Sequence, residues 1–210
     1  MKRCFDIMVS LVGTLVLSPL LICIAILVAV TSRGGPFFRQ TRVGRNRRPF
    51  KICKFRTMTV RPEAVNGSFD AGDRSRVTRV GRLLRRTKLD ELPQLWNVLV
   101  GEMSLVGPRP EVPKWTEVHR TRWDRVLSVR PGLTDPASIA FRNEEELLAA
   151  SNEPDSTYRD EILPRKLELA EQYVRDRSFL GDLALIFSTA RAVLAPGTGF
   201  QAPDGGESPQ

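Results

Sequence analysis

The feature that most constrains this chain is a run of 24 uncharged, mostly apolar residues from Ile7 to Val30. As a helix rising about 1.5 Å per residue, such a run is long enough to cross a bilayer core of roughly 30 Å. The apolar region of a secretory signal peptide is usually only about 7–15 residues long, and no small-residue cleavage site follows this one. The sequence therefore predicts a helix that remains in a membrane.

Pro19 lies in the middle of this run. Proline has no N–H, and its ring clashes with the carbonyl four residues earlier, so we expect the helix to break or kink at Ser18-Pro19. The Ser18 hydroxyl can then bond a carbonyl that the kink exposes. The residues alone leave two architectures open, a kinked helix that spans the bilayer or a re-entrant hairpin that enters and leaves on one face. Residues 31–62 contain ten basic residues and no acidic one, which places that side in the cytoplasm.

The net charge of +8 conceals a strong asymmetry along the chain. Residues 1–88 carry 19 Lys and Arg against 4 Asp and Glu, whereas residues 89–210 carry 13 against 20. A basic half of this kind favours polyanions, which include nucleic acid, anionic lipid headgroups and phosphorylated small molecules. The single histidine, His119, stands among polar residues of a predicted helix, and the sequence shows no catalytic partners for it. Ser-His-Asp triads and His-rich metal sites are therefore not expected, and any catalysis rests on carboxylates, Arg, Lys or backbone groups.

The segment after the apolar run predicts a β-hairpin. Two partly alternating runs, Phe37–Val43 and Phe50–Phe55, flank the turn residues Gly44-Arg45-Asn46. Apolar residues at helical spacing from Val77 to Leu84, with arginines between them, then predict an amphipathic helix with a basic face.

A second helix is predicted through Leu92–Val100, with Thr87 or Asp90 as its N-cap. Further helices are predicted at about 113–128, 143–150, 164–176 and 179–194. The tail, residues 196–210, is expected to be disordered.

The adjacent carboxylates Asp90 and Glu91 follow the basic helix and admit two interpretations. In the first interpretation, Asp90 is an ordinary N-cap and Glu91 complements the helix dipole. Alternatively, the helix terminus and nearby guanidiniums bind phosphate, Asp90 attacks a phosphorus atom, and Mg²⁺ bridges the carboxylate and diphosphate oxygens. Arg109 and Arg130 both lie beside prolines, in turns where stiff backbone could fix a guanidinium.

Several segments together resemble the bacterial sugar transferase family, the small monotopic polyprenyl-phosphate phosphoglycosyl transferases. The resemblance covers roughly residues 2–195. It rests on KRCFD at the start, Ser18-Pro19, FFRQTRVGR, FKICKFRTM, VGRLLRRTKLDELPQLWNVLVGEMSLVGPRP and RPGLT. Of these, the long middle block is the most specific.

The resemblance implies transfer of a sugar-1-phosphate from a UDP-sugar to undecaprenyl phosphate, with release of UMP and initiation of surface glycan assembly. By analogy Asp90 is the nucleophile and a Mg²⁺ ligand, and Glu91 assists as a charge partner or acid/base group. The family positions expected to bind phosphate fall on Lys54, Arg85, Arg109 and Arg130.

The resemblance also implies a mostly helical α/β fold. Residues 1–33 would form a re-entrant membrane helix broken at Ser18-Pro19, and residues 34–195 a compact cytoplasmic catalytic domain with a short β-hairpin and amphipathic interfacial helices. The protein would then lie on the cytoplasmic face of the bacterial inner membrane, in contact with membrane lipids. Since the apolar run begins at residue 7, we expect a minimal catalytic unit without a multi-span extension.

One departure concerns the segment after RPGLT. The family often has Gly-Trp-Ala-Gln there, whereas this chain has Asp135-Pro136-Ala137-Ser138, so the identity of the sugar is not carried over. Two other functions compete with the transferase: a membrane-tethered polyanion binder and a non-catalytic scaffold. No nucleic-acid motif accompanies the basic residues, so nucleic acid is not an expected partner. The sequence leaves open whether the chain is a monomer or a homo-oligomer.

Overall fold

The computed structural model describes residues 1–60 and 75–194. Within them the chain is mostly helical, with two small two-stranded sheets. The N-terminal helix α1 spans Lys2–Thr31 and contains Pro19. Helical structure continues on both sides of Pro19, so the interruption there is one missing backbone hydrogen bond. The Ser18 hydroxyl donates to the Leu15 carbonyl at 2.7 Å, and this carbonyl is the one that lacks an N–H donor at Pro19.

Helix α1 is the one helix in the described ranges that is long and apolar enough to cross a membrane, judged by length and composition. Signal sequences and buried core helices also meet that test. Only 11% of its most apolar 18-residue stretch is buried, however, which is unlike a core helix. Exposed apolar side chains run along its outer face, including Leu15 and Val16. This surface favours association with a membrane.

The predicted β-hairpin is confirmed. Strands β1 (Phe37–Val43) and β2 (Pro49–Phe55) pair antiparallel, with Phe37 opposite Phe55 and Val43 opposite Pro49. Asn46 in the connection has a φ of 55°, in the left-handed region that Asn tolerates better than most residues.

A second, parallel pair was not predicted. Strands β3 (Ser104–Val106) and β4 (Gly132–Thr134) are only three residues long, too short to show a period in the sequence. They bring Gly107 and Gly132 together so closely that a Cβ on Gly132 would lie 2.1 Å from the Gly107 nitrogen. The glycines of the VGPRP and RPGLT segments therefore allow two distant turns to touch.

The other helices lie between and after these strands. Their bounds are α2 Arg79–Thr87, α3 Gln94–Val100, α4 Pro113–Thr116, α5 Arg120–Val126, α6 Pro136–Ala140, α7 Glu144–Ala150, α8 Pro154–Thr157, α9 Leu163–Asp176 and α10 Phe179–Leu194. The helices predicted at 143–150, 164–176 and 179–194 are thus confirmed. The single helix predicted over 113–128 is wrong, because the chain leaves the helical conformation at His119, with φ −127° and ψ 58°, between α4 and α5. The predicted tail, 196–210, lies outside the described residues.

The polar start of α1 is bound to the rest of the fold. Arg3 donates to the carbonyls of Val98 at 2.6 Å and Leu99 at 2.9 Å, in the last turn of α3. The buried Asp6 carboxylate accepts a hydrogen bond from the Ser104 hydroxyl at 2.8 Å. The charged residues before the apolar run therefore contact the folded domain.

The far end of α1 packs against the same domain. Ile24 and Val28 form a buried cluster with Phe55 at the end of β2 and with Leu84 in α2. Between the two ends, α1 runs close to α3, since a Cβ added at Gly13 would lie 3.6 Å from the Leu95 side chain. Helix α1 therefore lies along one side of the domain for most of its length.

Candidate active site at the Asp90–Glu91 turn

The two carboxylates lie in a short 3-10 turn, Leu89–Glu91, between α2 and α3. Lys88 ends α2 with a φ of 57°, a left-handed conformation that redirects the chain. Asp90 and Glu91 are each only 8% exposed. The backbone thus places two charged groups side by side in the protein interior.

The N-cap interpretation is wrong. Helix α3 begins after Pro93 and has no side-chain cap, while the Thr87 hydroxyl donates back to the Leu83 carbonyl inside α2. The reason is the turn at Lys88, which puts one extra 3-10 turn between the helices and moves Asp90 away from the capping position.

Glu91 is held by two cations from distant parts of the chain. Its Oε1 accepts from Lys54 Nζ of β2 at 2.8 Å and from Arg109 at 2.7 Å, and Oε2 accepts a second bond from Arg109 at 3.4 Å. Burial by itself would raise the pKa of the Glu91 carboxyl, but Arg109 and Lys54 outweigh burial and hold that pKa well below its usual range. Glu91 is therefore charged at neutral pH and anchors both cations.

The Asp90 carboxylate, in contrast, is not bonded in this way to any described residue. Its buried Oδ1 has no hydrogen-bond partner among the described residues. Burial raises the pKa of the Asp90 carboxyl; Lys54 partly opposes this, and the adjacent charge on Glu91 adds to it. A buried, unbonded carboxylate oxygen is costly to the fold and is the kind of group that functional sites retain.

Arg85 approaches Asp90 from α2. Its charge and that of Lys88 both lower the pKa of Asp90, although less than burial raises it. The Arg85 Nε donates to the Thr57 hydroxyl at 2.9 Å, and one terminal nitrogen bonds both carboxylate oxygens of Glu145, at 3.0 and 3.1 Å. Cations from β2, α2 and the segment after β3 thus converge around the two carboxylates.

Gly81 explains how α2 comes so close. A Cβ at this position would lie 2.1 Å from the Thr57 carbonyl oxygen. Only glycine lets the helix rest on the chain that follows β2, and that contact brings Arg85 to Thr57.

Arg109 is positioned through its backbone as well. Its N–H donates to Asp135 Oδ2 at 3.1 Å, and Asp135 Oδ1 accepts from the Ser138 N–H at 2.8 Å, capping α6. Residues 135–138 therefore lie next to the cation that binds Glu91.

Arg130 and His119 are placed elsewhere. Arg130 Nε donates to the Gly101 carbonyl at 2.8 Å, at the far end of α3 from the two carboxylates. The structure therefore brings Lys54, Arg85 and Arg109 together with the carboxylates but shows no such contact for Arg130. His119 precedes α5 and has no described contact with the site.

The sequence analysis did not identify three further residues of the site, Thr57, Lys88 and Glu145. Thr57 lies in the FKICKFRTM segment that carries part of the resemblance, so its place there was the available signal. Lys88 was visible as a charge but not as the left-handed residue that turns the chain. Glu145 sits 54 positions after Glu91 in an acidic helix start, and nothing local relates it to Arg85.

A magnesium ion was predicted at Asp90. Among residues 1–60 and 75–194 no group of three His, Cys, Asp or Glu side chains could hold a metal. Mg²⁺ commonly binds through one or two carboxylates together with substrate phosphates. The unbonded oxygen of Asp90 fits that mode, whereas both oxygens of Glu91 already accept bonds from cations.

Comparison with known proteins gives matches over nearly the whole chain. A family model described as Bacterial sugar transferase matches residues 1–196. The UDP-glucose:undecaprenyl-phosphate glucose-1-phosphate transferase of Escherichia coli (strain K12) is 37% identical over 193 residues, which cover 90% of this chain and 39% of that protein.

Two other relatives differ in name and length. The UDP-N-acetylgalactosamine-undecaprenyl-phosphate N-acetylgalactosaminephosphotransferase of Aeromonas hydrophila is 34% identical, over 96% of this chain and 44% of its own. Exopolysaccharide production protein ExoY of Sinorhizobium fredii (strain NBRC 101917 / NGR234) is 35% identical, over 91% of this chain and 84% of its own. The chain thus spans about two fifths of the first two relatives and most of the third.

Proposed function

Because the chain belongs to the bacterial sugar transferase family, we propose that it transfers a sugar-1-phosphate from a UDP-sugar to undecaprenyl phosphate and releases UMP. This reaction initiates the assembly of a surface glycan or glycoconjugate. The relatives are named for different sugars, glucose and N-acetylgalactosamine among them, so the sugar is left open.

The reaction proceeds in two displacements at phosphorus. An Asp90 carboxylate oxygen attacks the sugar-bearing phosphorus of the donor and forms an acyl-phosphate bond, while the bond to the bridging oxygen breaks and UMP leaves with that oxygen. A phosphate oxygen of undecaprenyl phosphate then attacks the same phosphorus. The acyl-phosphate bond breaks, and Asp90 is regenerated as a carboxylate.

The observation that carries this proposal is the contrast between the two carboxylates. Asp90 Oδ1 is buried and unbonded among the described residues, whereas Glu91 is engaged by Lys54 and Arg109. A nucleophile must have a lone pair free, and Asp90 meets that condition. Glu91 acts as a charge partner and not as a proton carrier, because its charge is fixed by two cations.

Mg²⁺ is the proposed cofactor, and Asp90 is the residue that would hold it together with phosphate oxygens of the donor. When bound, it supplies charge neutralisation for the phosphoryl oxygens. Arg85 and the exposed edge of Arg109 supply further positive charge on the protein side, and the Arg fork matches phosphate geometry.

The proposed location is the cytoplasmic face of the bacterial inner membrane. A straight 30-residue helix is about 45 Å long, and a spanning orientation would separate its ends across the bilayer. Packing of both Arg3 and Val28 against one domain instead supports a re-entrant or surface-parallel α1. The basic residues of 31–62 support the cytoplasmic side.

Exposed apolar side chains outside α1 support contact with membrane lipids. Leu180 and Phe187 of α10 are 77% and 74% exposed, and Trp96 of α3 is 63% exposed. An active site held at the surface in this way meets the lipid phosphate at the height where that phosphate lies.

UMP release tests the function. The protein is purified in detergent and given Mg²⁺, undecaprenyl phosphate and a panel of UDP-sugars. We expect UMP with at least one sugar and none with Asp90→Asn. Undiminished release by Asp90→Asn, or no release with any sugar, overturns the proposal and favours the scaffold or the polyanion binder.

Topology is tested separately in intact cells. A single cysteine is placed at residue 2 in a chain whose own cysteines are replaced, and an impermeant thiol reagent is added from the periplasm. We expect no labelling until the membrane is opened. Labelling in intact cells contradicts the re-entrant arrangement without affecting the assignment of the activity.

A further inference from the structure

We propose that Glu145 is a positioning residue that holds Arg85 in the unliganded protein and releases it to a phosphate group of the donor. The inference rests on the proposed function and deepens it. In this proposal the Arg85 guanidinium exchanges one anionic partner for another: it leaves the Glu145 carboxylate of α7 and binds the diphosphate of the substrate.

The inner edge of the Arg85 guanidinium is held by the protein, and its outer edge faces Glu145. Its Nε is held by the buried Thr57 hydroxyl at 2.9 Å, so the plane of the guanidinium is set by the protein. Its outer nitrogen meets both oxygens of Glu145, at 3.0 and 3.1 Å. A carboxylate thus occupies the side on which a phosphate would bind.

The two glutamates near the site differ in how easily they can be displaced. The side chain of Glu91 is 11% exposed, and breaking a buried ion pair is costly because the remaining charge is left buried without a partner. The side chain of Glu145 is 60% exposed, and exposed ion pairs are weak because water and salt screen them. The Arg85–Glu145 pair is therefore the one that a substrate phosphate can exchange.

Helix α7 is held in place by other contacts. Glu144 accepts from Lys166 of α9 at 2.8 Å, and Leu148 lies in the buried cluster with Trp115 and Tyr158. Glu145 is therefore presented on a fixed backbone. Rotation of its side chain into water releases Arg85 without movement of the helix.

This exchange has two effects on the reaction. Before the donor binds, Glu145 keeps the outer nitrogen of Arg85 paired with an anion. After UMP leaves, Glu145 can recapture Arg85. Glu145 therefore keeps Arg85 ordered in the empty site but competes with the donor for it. We expect this competition to affect KM and not kcat.

The decisive measurement is KM and kcat for the UDP-sugar in Glu145→Gln. We expect KM to fall about two- to fivefold with kcat unchanged, because the competing charge is lost. Glu145→Asp, whose shorter side chain cannot keep both contacts, is expected to lower KM as well. Glu168→Gln removes an exposed carboxylate from α9 and serves as the matched control with an unchanged KM.

A double-mutant cycle separates exchange at Arg85 from a general change of charge. Arg85→Gln raises KM, and on that background Glu145→Gln is expected to have no further effect. If Glu145→Gln lowers KM equally with and without Arg85, the inference is wrong. An unchanged or raised KM in the single variant also overturns it.

Equilibrium binding of UDP, without lipid acceptor, distinguishes this inference from the function itself. Tighter binding by Glu145→Gln supports the exchange even if no UDP-sugar is turned over. Catalysis by the wild type together with unaltered UDP binding in Glu145→Gln leaves the transferase standing and removes the role of Glu145.

Discussion

Asp90 and Glu91 are neighbours in the chain and equally buried, yet their carboxyl groups have opposite electrostatic surroundings. Glu91 bonds Lys54 and Arg109, while Asp90 Oδ1 has no partner in the described part of the chain. The pKa of Glu91 is accordingly lowered and that of Asp90 raised. One carboxylate stabilises the site and the other is left available for chemistry.

Asp90→Asn is expected to abolish UMP release without lowering stability. Because burial disfavours the charged carboxylate, its neutral isostere should raise the free energy of unfolding by about 0.5–2 kcal/mol at neutral pH. Thermal unfolding in detergent, with and without the substitution, measures this. A clear fall in the melting temperature would show that the Asp90 charge stabilises the fold.

Glu91→Gln is expected to destabilise the protein, because it leaves the charges of Lys54 and Arg109 buried without their partner. The loss should be about 3 kcal/mol, at the lower end for a broken buried pair, since the Arg109 side chain is 31% exposed. The lowered pKa of Glu91 means that its contribution is complete above the ordinary glutamate pKa of about 4.3 and is lost as pH falls further.

The difference between the melting temperatures of wild type and Glu91→Gln should therefore be constant from about pH 7 to pH 5 and narrow below about pH 4. Glu168→Gln, an exposed and otherwise equivalent change, provides the baseline. Equal melting temperatures for wild type and Glu91→Gln at pH 7 would contradict the anchoring role.

The pH dependence of the first displacement should report Asp90. In a two-displacement mechanism kcat/KM for the UDP-sugar reflects only the free enzyme and the donor. Because the pKa of Asp90 is raised, the nucleophile becomes protonated at a higher pH than an ordinary aspartate does. As pH is lowered, kcat/KM should therefore decrease through the uptake of one proton, and the decrease should begin while the pH is still above about 4. Glu91 cannot produce this limb, since its pKa is lowered. A kcat/KM that stays constant from about pH 7 to pH 4 contradicts the assignment.

Gly81→Ala is expected to lower both stability and activity, although alanine is the better helix former by about 1 kcal/mol. The added Cβ would lie 2.1 Å from the Thr57 carbonyl oxygen, so α2 must move and carry Arg85 with it. We expect a lower melting temperature and a higher KM for the donor. Gly13→Ala is the control, because its Cβ would meet only Leu95 at an ordinary 3.6 Å.

The sequence predicted those parts of the fold whose signal is local. The hairpin Phe37–Val43 and Pro49–Phe55 shows alternation around a turn, and α9 and α10 show long apolar patterns. The pair β3 and β4 escaped prediction because three-residue strands that meet across 25 residues leave no period. The N-cap expected at Asp90 was wrong because a left-handed lysine was not foreseen.

The candidate site likewise combines residues with a local sequence signal and residues that only distant contacts bring together. Asp90 and Glu91 could be named from their neighbours and from the family resemblance, together with Lys54, Arg85 and Arg109. Their separate tasks followed from the resemblance and not from the residues themselves, because the charges that distinguish the two carboxylates come from residues 37 and 18 positions away from Glu91. Glu145 had no sequence signal, since it meets Arg85 across 60 positions.

The apolar run of α1 was determined by the sequence alone, because 24 uncharged residues allow few structures other than a membrane-associated helix. What only the tertiary structure decided is how that helix meets the rest of the chain. Arg3 and Asp6 bind the domain at one end and Val28 packs on it at the other. Hydropathy records how apolar a segment is; which surfaces it covers depends on contacts between residues far apart in the chain.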